Sequence, residues 1–420
     1  MTANIKDYMP KGIVDGEFIE KIESIQSAMP SKEAYLIKPK DVDYIEINKK
    51  YDSESIRRIF EIDINRYTKY EIDKIKEFKN FIKFKVNYTD TDKFDYISNS
   101  TLLRFLQATQ FNFDKSAEYL KNFIEWRNTF FPITITNNLK TLLNSGFIYS
   151  FGKDSKHRPI IVINTIFYIN NESKYTYDEW LNCIIFFMEY FVHNLTIPGQ
   201  IENWIIITDL RNVSLWSLPS NFKEILKVMT STYRARLYIN YLLGMNFVLR
   251  GLWKVIKLML DPNTAQKIRI LGDSDFTQIL DQINPYQLEK KFGGKCENII
   301  SDFFPPRSPN NNNVIFDNVD KKELFYNDNE YRELYKSQQL VTVSPYLLKE
   351  IEIENKNSNS KNLFETGNFN DGNKSNFSDK TTQNISNIDQ MLDKELISEN
   401  EKENISKITN KKVNLDLDLD

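Results

Sequence analysis

Between residues 158 and 271 the chain alternates short apolar, β-branched runs with helical patterns, which confines it to an α/β sheet with helical cover. The runs are RPIIVINTIFYI (158–169), WIIITDL (204–210), LYINYLLGMNF (237–247) and KIRIL (267–271). Each is nearly continuously apolar, so each predicted strand should be covered on both faces. The helical stretches between them are 176–194, 219–233 and 248–260. In the second, Phe222, Ile225, Leu226 and Met229 fall on one side.

Large anchors and turn residues gather in the same block. The five tryptophans all lie between Trp126 and Trp253, and eight of the twelve glycines lie between Gly146 and Gly294. Residues 355–420 contain no Trp, Tyr, Pro or Cys, and fourteen of those sixty-six are Asn. Such a composition cannot offset the entropy of ordering, so a disordered tail is expected there. SPNNNN (308–313) marks a break after the core. Ahead of the core, ESIRRIFEIDINRY (54–67), YEIDKIKEFKNFIK (70–83) and two helices within 101–131 predict an all-helical front, with Asp114 as the cap of the last helix.

Composition removes several classes of function. The 55 Lys and Arg against 58 Asp and Glu give a net charge of −3, unlike a protein that lives on phosphate-backbone contacts. No nucleic-acid partner is expected. Two cysteines, Cys183 and Cys296, make no disulfide framework and suit a reducing compartment. The stretch 180–195 is interrupted by Glu189 and is too short to span a bilayer. No basic segment followed by an apolar one opens the sequence, so no secretory signal is read and a cytoplasmic protein is expected. Glycine-rich phosphate loops, GxGxxG, GxSxG and HExxH are absent, and the two histidines, His157 and His193, share no metal-site spacing with the cysteines. The expectation is no enzyme, no catalytic residue, no cofactor and no metal.

The segment 248–260 stands apart. Leu249, Leu252, Trp253, Ile256 and Leu260 form one face, and Arg250, Lys254 and Lys257 line an adjoining one. That pattern fits a helix lying at an anionic membrane surface. It equally fits a surface helix packed on a sheet with a solvated basic stripe.

In order along the chain stand LLRFLQATQFN (102–112), EWR (125–127), DSKHRPI (154–160), IIITDL (205–210), YRARL (233–237), MNFVLRGLWKVIKLMLDPNTAQKIRILG (245–272) and NPYQLEKKFGG (284–294). This series, over roughly 96–298, resembles the CRAL-TRIO lipid-binding family, in particular its phosphatidylinositol transfer proteins. The resemblance implies a CRAL-TRIO α/β fold: a helical N-terminal lobe, then a mixed β-sheet flanked by helices that enclose an apolar lipid pocket. It implies an extension over 1–95, a helical lobe over 96–145, a lipid-binding domain over 146–298, a further extension over 299–345 and a tail over 346–420. It also implies a monomeric, non-enzymatic carrier that exchanges phosphatidylinositol between membranes, touching anionic membrane surfaces transiently and peripherally.

For the headgroup, the resemblance implies Glu224 for the inositol hydroxyls and Lys254 for the phosphate, aided by Lys257 and Arg250. The chemistry is apt, since a carboxylate accepts hydroxyl hydrogen bonds and an ammonium neutralises a phosphodiester. Three departures from the family pattern stand out. Its second cationic pair is Thr109 and Gln110 here, its choline-lipid hydroxyls are replaced by Trp204 and Ile206, and its YPERL turn has become Arg234 and Ala235. The alternatives are a carrier of another hydrophobic ligand, sterol-like or tocopherol-like, and a lipid-sensing adaptor that recruits partners through its tail.

Overall fold

The computed structural model describes residues 2–21, 28–38, 45–47, 55–60, 67–85, 97–213, 222–245, 249–250, 253, 257, 260, 262–309, 325–337, 340 and 342–365. The chain divides into two compact units, residues 1–91 with 97–349, and residues 92–96 with 350–420. The sheet and the cavity built on it belong to the first.

In front of the sheet come α1 (Lys69–Lys85), α2 (Asn99–Ala108), α3 (Phe113–Phe130) and α4 (Asn137–Leu143). Helix α3 is capped by Asn112, whose side chain accepts from the Lys115 amide at 3.0 Å. The expected cap, Asp114, instead stands in the first turn, where a carboxylate suits the helix dipole. The front is also not all helical. Thr2–Asn4 pairs antiparallel with Ile19–Lys21, and Ile45–Ile47 with Ser55–Arg57. The expected helix over 54–67 therefore holds a strand at 55–57, and 61–66 lie outside the described residues.

The central sheet contains β1 (Ile148–Lys153), β2 (Pro159–Asn164), β3 (Trp204–Asp209), β4 (Leu237–Leu243) and β5 (Ile268–Leu271). Its order is β5-β4-β3-β2-β1, parallel throughout except for the antiparallel β1–β2 pair. The run 158–169 is not one strand. It ends at Asn164, whose side chain accepts from the Phe167 amide and starts α5 (Thr165–Asn171). An N-cap in the middle of an apolar run outweighs β propensity there.

Helix α6 (Tyr177–Asn194) begins with a reciprocal box between Thr176 and Glu179 and is buried along most of its length. Helix α7 (Phe222–Thr232) precedes β4, and α8 (Thr277–Gln282) follows β5. The FGG motif closes the domain tightly. Gly293 has φ +86°, and a Cβ on Gly294 would stand 1.9 Å from the Leu288 carbonyl oxygen. Helix Pro345–Glu365 occupies the start of the stretch expected to lack structure, and 366–420 lie outside the described residues.

Alternation along the strands divides the sheet into two faces. Ile160, Val162, Ile205, Ile207 and Tyr241 point to one, where they pack with Ile279, Ile283, Leu288 and Phe292. The opposite face looks toward α6 and α7.

Candidate ligand cavity

That opposite face is the floor of a cavity of about 330 Å³. Two cross-strand rows form it. Ile161, Ile206, Asn240 and Ile268 are register partners in one row, and Ile148, Ile163, Thr208 and Leu242 in the next. Helix α6 contributes Ile184 and Met188 one turn apart, and α7 contributes Ile225, Leu226, Met229 and Thr230. The end of α2 adds Arg104, Gln107 and Ala108, while Leu249, Trp253 and Leu260 close another side. The volume lies at the low end of ligand cavities, about 300–1,000 Å³.

Two buried polar clusters hold the helices around this space. Arg104 pairs with Glu202 at 2.6 Å and covers the Phe60 ring at 4.0 Å. The other work of Glu202 is to accept from the backbone amides of Phe60 and Gly199. Beside it, the Gln107 amide bonds Arg57 both ways, accepting from its N–H at 2.8 Å and donating to its carbonyl at 3.0 Å. Arg57 in turn makes a two-pronged pair with Glu71, both contacts at 2.7 Å. Residues 57–60 thus back the α2 wall. Arg236, half-buried near Arg104, has its pKa pushed down to about 10 by desolvation and by that neighbouring charge.

The second cluster centres on Glu189. It accepts from Arg127 of α3 at 3.1 Å and from the Tyr233 hydroxyl at 2.9 Å, with His193 at 3.4 Å. Burial pushes its carboxyl up, but the His193 hydrogen bond and the Arg127 charge together hold it below its ordinary value. Tyr233 is driven well above its ordinary value by burial and by Glu189. In the cavity wall, Tyr168 has a buried hydroxyl with no hydrogen-bond partner among the described residues, and burial raises its pKa to about 12.

The expected headgroup residues fall elsewhere. Glu224 is exposed on α7, where its charge adds to the burial that raises Tyr177. Arg250 is exposed, and its Nε donates to the Met245 carbonyl at 3.2 Å. Lys257 is exposed as well. None of the three lines the cavity. Lys254 lies outside the described residues, although its neighbour Trp253 lines the cavity. Thr109 is buried, with its hydroxyl 2.6 Å from Ser116 Oγ, and Gln110 is exposed with φ +54°. Trp204 and Ile206 present apolar surface to the cavity. Sequence reasoning missed Arg104–Glu202, Glu189 and the pair Thr208–Asn240. Glu189 and Asn240 did carry a signal, as single polar residues inside apolar runs.

Residues 143–294 match the family model of the CRAL/TRIO domain. The SEC14 cytosolic factor of Yarrowia lipolytica is 30% identical over 236 residues, covering 51% of this chain and 48% of that protein. The chain therefore spans about half the length of that relative. The phosphatidylinositol transfer protein SFH5 of Candida glabrata is 25% identical over 189 residues, covering 42% of this chain and 64% of that one. The crystal structure of Sfh5 aligns at 16% identity with a TM-score of 0.41, covering 57% of this chain and 94% of that one. Among the described residues, no helix is long and apolar enough to cross a membrane.

Proposed function

We propose that this chain binds phosphatidylinositol in the cavity and exchanges it between membranes without chemical change. The carrying observation is an apolar cavity of about 330 Å³ on one sheet face of the region that matches the CRAL/TRIO domain. Each acyl methylene buried there contributes about 0.8 kcal/mol, so lipid capture needs only this lining and a route in. The relationship to SEC14 and SFH5 proteins supports the phospholipid class. In this reading Lys254, Lys257 and Arg250 meet the phosphate and Glu224 the inositol hydroxyls. The exposure of Glu224, Arg250 and Lys257 supports a headgroup that stays in contact with water while the acyl chains enter the cavity. The chain works as a monomer in the cytoplasm and touches anionic membranes transiently.

A second reading, an uncharged sterol-like or tocopherol-like ligand, is favoured by one observation: no described member of the headgroup set lines the cavity. Mass spectrometry of lipid bound to the purified protein separates the two. Labelled phosphatidylinositol should move between vesicles without ATP or metal, and transfer no faster than buffer overturns the first reading. Lys254→Ala should weaken inositol-lipid binding roughly ten- to a hundredfold, with little change for the surface control Lys121→Ala.

A further inference from the structure

The cavity floor carries one feature that acyl chains do not call for. In the row Ile161, Ile206, Asn240, Ile268, three residues are isoleucine and the fourth is a primary amide. Thr208, on the neighbouring strand, donates its hydroxyl to Asn240 Oδ1 at 3.0 Å. That bond occupies the amide oxygen and fixes the plane of the group. The amide nitrogen has no hydrogen-bond partner among the described residues, and Asn240 and Thr208 both line the cavity. An unanswered donor in an apolar space costs free energy, and a ligand oxygen placed there recovers it.

We propose that Asn240, oriented by Thr208, is a specificity site that selects ligands carrying a hydrogen-bond acceptor, an ester carbonyl or a hydroxyl oxygen, within their apolar body. The proposal rests on the reading of the cavity as a lipid site and names the chemistry that the site demands. A wholly hydrocarbon segment leaves the amide unpaired at this depth. A glycerol ester or a sterol hydroxyl pairs it.

Trp204 and Trp253 line the cavity, so quenching of intrinsic fluorescence reports filling. The full chain is titrated with two matched pairs: diacyl phosphatidylinositol against its dialkyl ether, and cholesterol against cholestane. The member with the stronger acceptor should bind roughly three- to tenfold more tightly, the net worth of one neutral hydrogen bond. Asn240→Leu should equalise each pair, chiefly by improving the weaker member. Thr208→Val keeps the amide but releases it, and should reduce the preference. Equal binding within both pairs by the unmodified chain overturns the proposal, as does a preference that survives in Asn240→Leu. Discrimination within the sterol pair alone, with no inositol lipid bound, upholds Asn240 while refuting the phosphatidylinositol reading. Binding of none of the four refutes both.

Discussion

The two faces of the central sheet are made by the same five strands, yet one is solid and the other hollow. Their own residues do not differ enough to explain it, because aliphatic side chains make up most of both. The difference lies in what is set against them. On the solid face, the segment after β5 lays Ile279, Ile283, Leu288 and Phe292 directly on the strands, and each is at most 2% exposed. On the hollow face, the covering helices are tied to one another at the rim. Glu189 of α6 holds Arg127 of α3 and Tyr233 beyond α7, while Arg104 of α2 holds Glu202. We infer that these ionic and hydrogen-bonded ties set the spacing of the helices and hold their apolar faces off the floor, so that the cavity is a property of its frame.

The sharpest way to break this comparison is to shorten neighbouring residues of β3. Ile207 faces the solid side and is fully buried, whereas Ile206 faces the cavity. Ile207→Ala should cost about 2–5 kcal/mol, the transfer term plus a new void. Ile206→Ala enlarges a space that already exists and should cost clearly less. Urea denaturation of the two variants checks the order, and equal losses would mean that the hollow face is closed in solution.

Enlarging a residue should invert the pattern. Val162→Phe forces a ring into the solid face and should cost about 1–3 kcal/mol while leaving ligand uptake intact in the folded fraction. Ile206→Phe projects into free volume, so stability should hold while the bound-lipid signal in mass spectrometry falls. Loss of stability in both variants, with lipid retained by both, would contradict the division of faces.

How much of this was legible beforehand follows the same division. Strands β3 and β4 and helix α6 are legible because each is an apolar run between polar boundaries, and β5 is legible as a short run of isoleucine and leucine around Arg269. Which face of each strand meets the cavity could not, because a run apolar on both sides carries no period-two signal. Strand β1 went unread because Ser150 and Gly152 interrupt it. Asn164 reads as part of a strand because apolar residues flank it, although an asparagine there can equally cap a helix. The family resemblance points to cations on 248–260 for the headgroup, and the described cations lining the cavity are Arg104, Arg234 and Lys267. Arg104 and its partner lie 98 residues apart, a separation that no local pattern registers.

The smallest expected effect tests whether the rim frame, rather than the floor, holds the cavity open. Glu189 is 3% exposed, and its carboxyl lies below its ordinary value of 4.5 because the hydrogen bond from His193 and the Arg127 charge outweigh the cost of burial. The unfolded chain therefore binds the proton more readily than the folded one, so unfolding is favoured as acid is added. Each unit of depression corresponds to about 1.4 kcal/mol of stability, present in full above the ordinary value and lost as pH falls through the folded one. The advantage of the unmodified protein over Glu189→Gln should accordingly be flat from pH 7 down to about 5 and shrink below that. On the frame argument, the same acid range should also release bound lipid before the protein unfolds, since protonation loosens the tie from α6 to α3 and Tyr233. Ile207→Ala, which weakens only the solid face, should show no such early release. Stability by urea titration and bound lipid by mass spectrometry, taken across pH 7 to 3.5, read both quantities. Lipid that leaves only with global unfolding would show that Glu189 stabilises the fold without holding the cavity open.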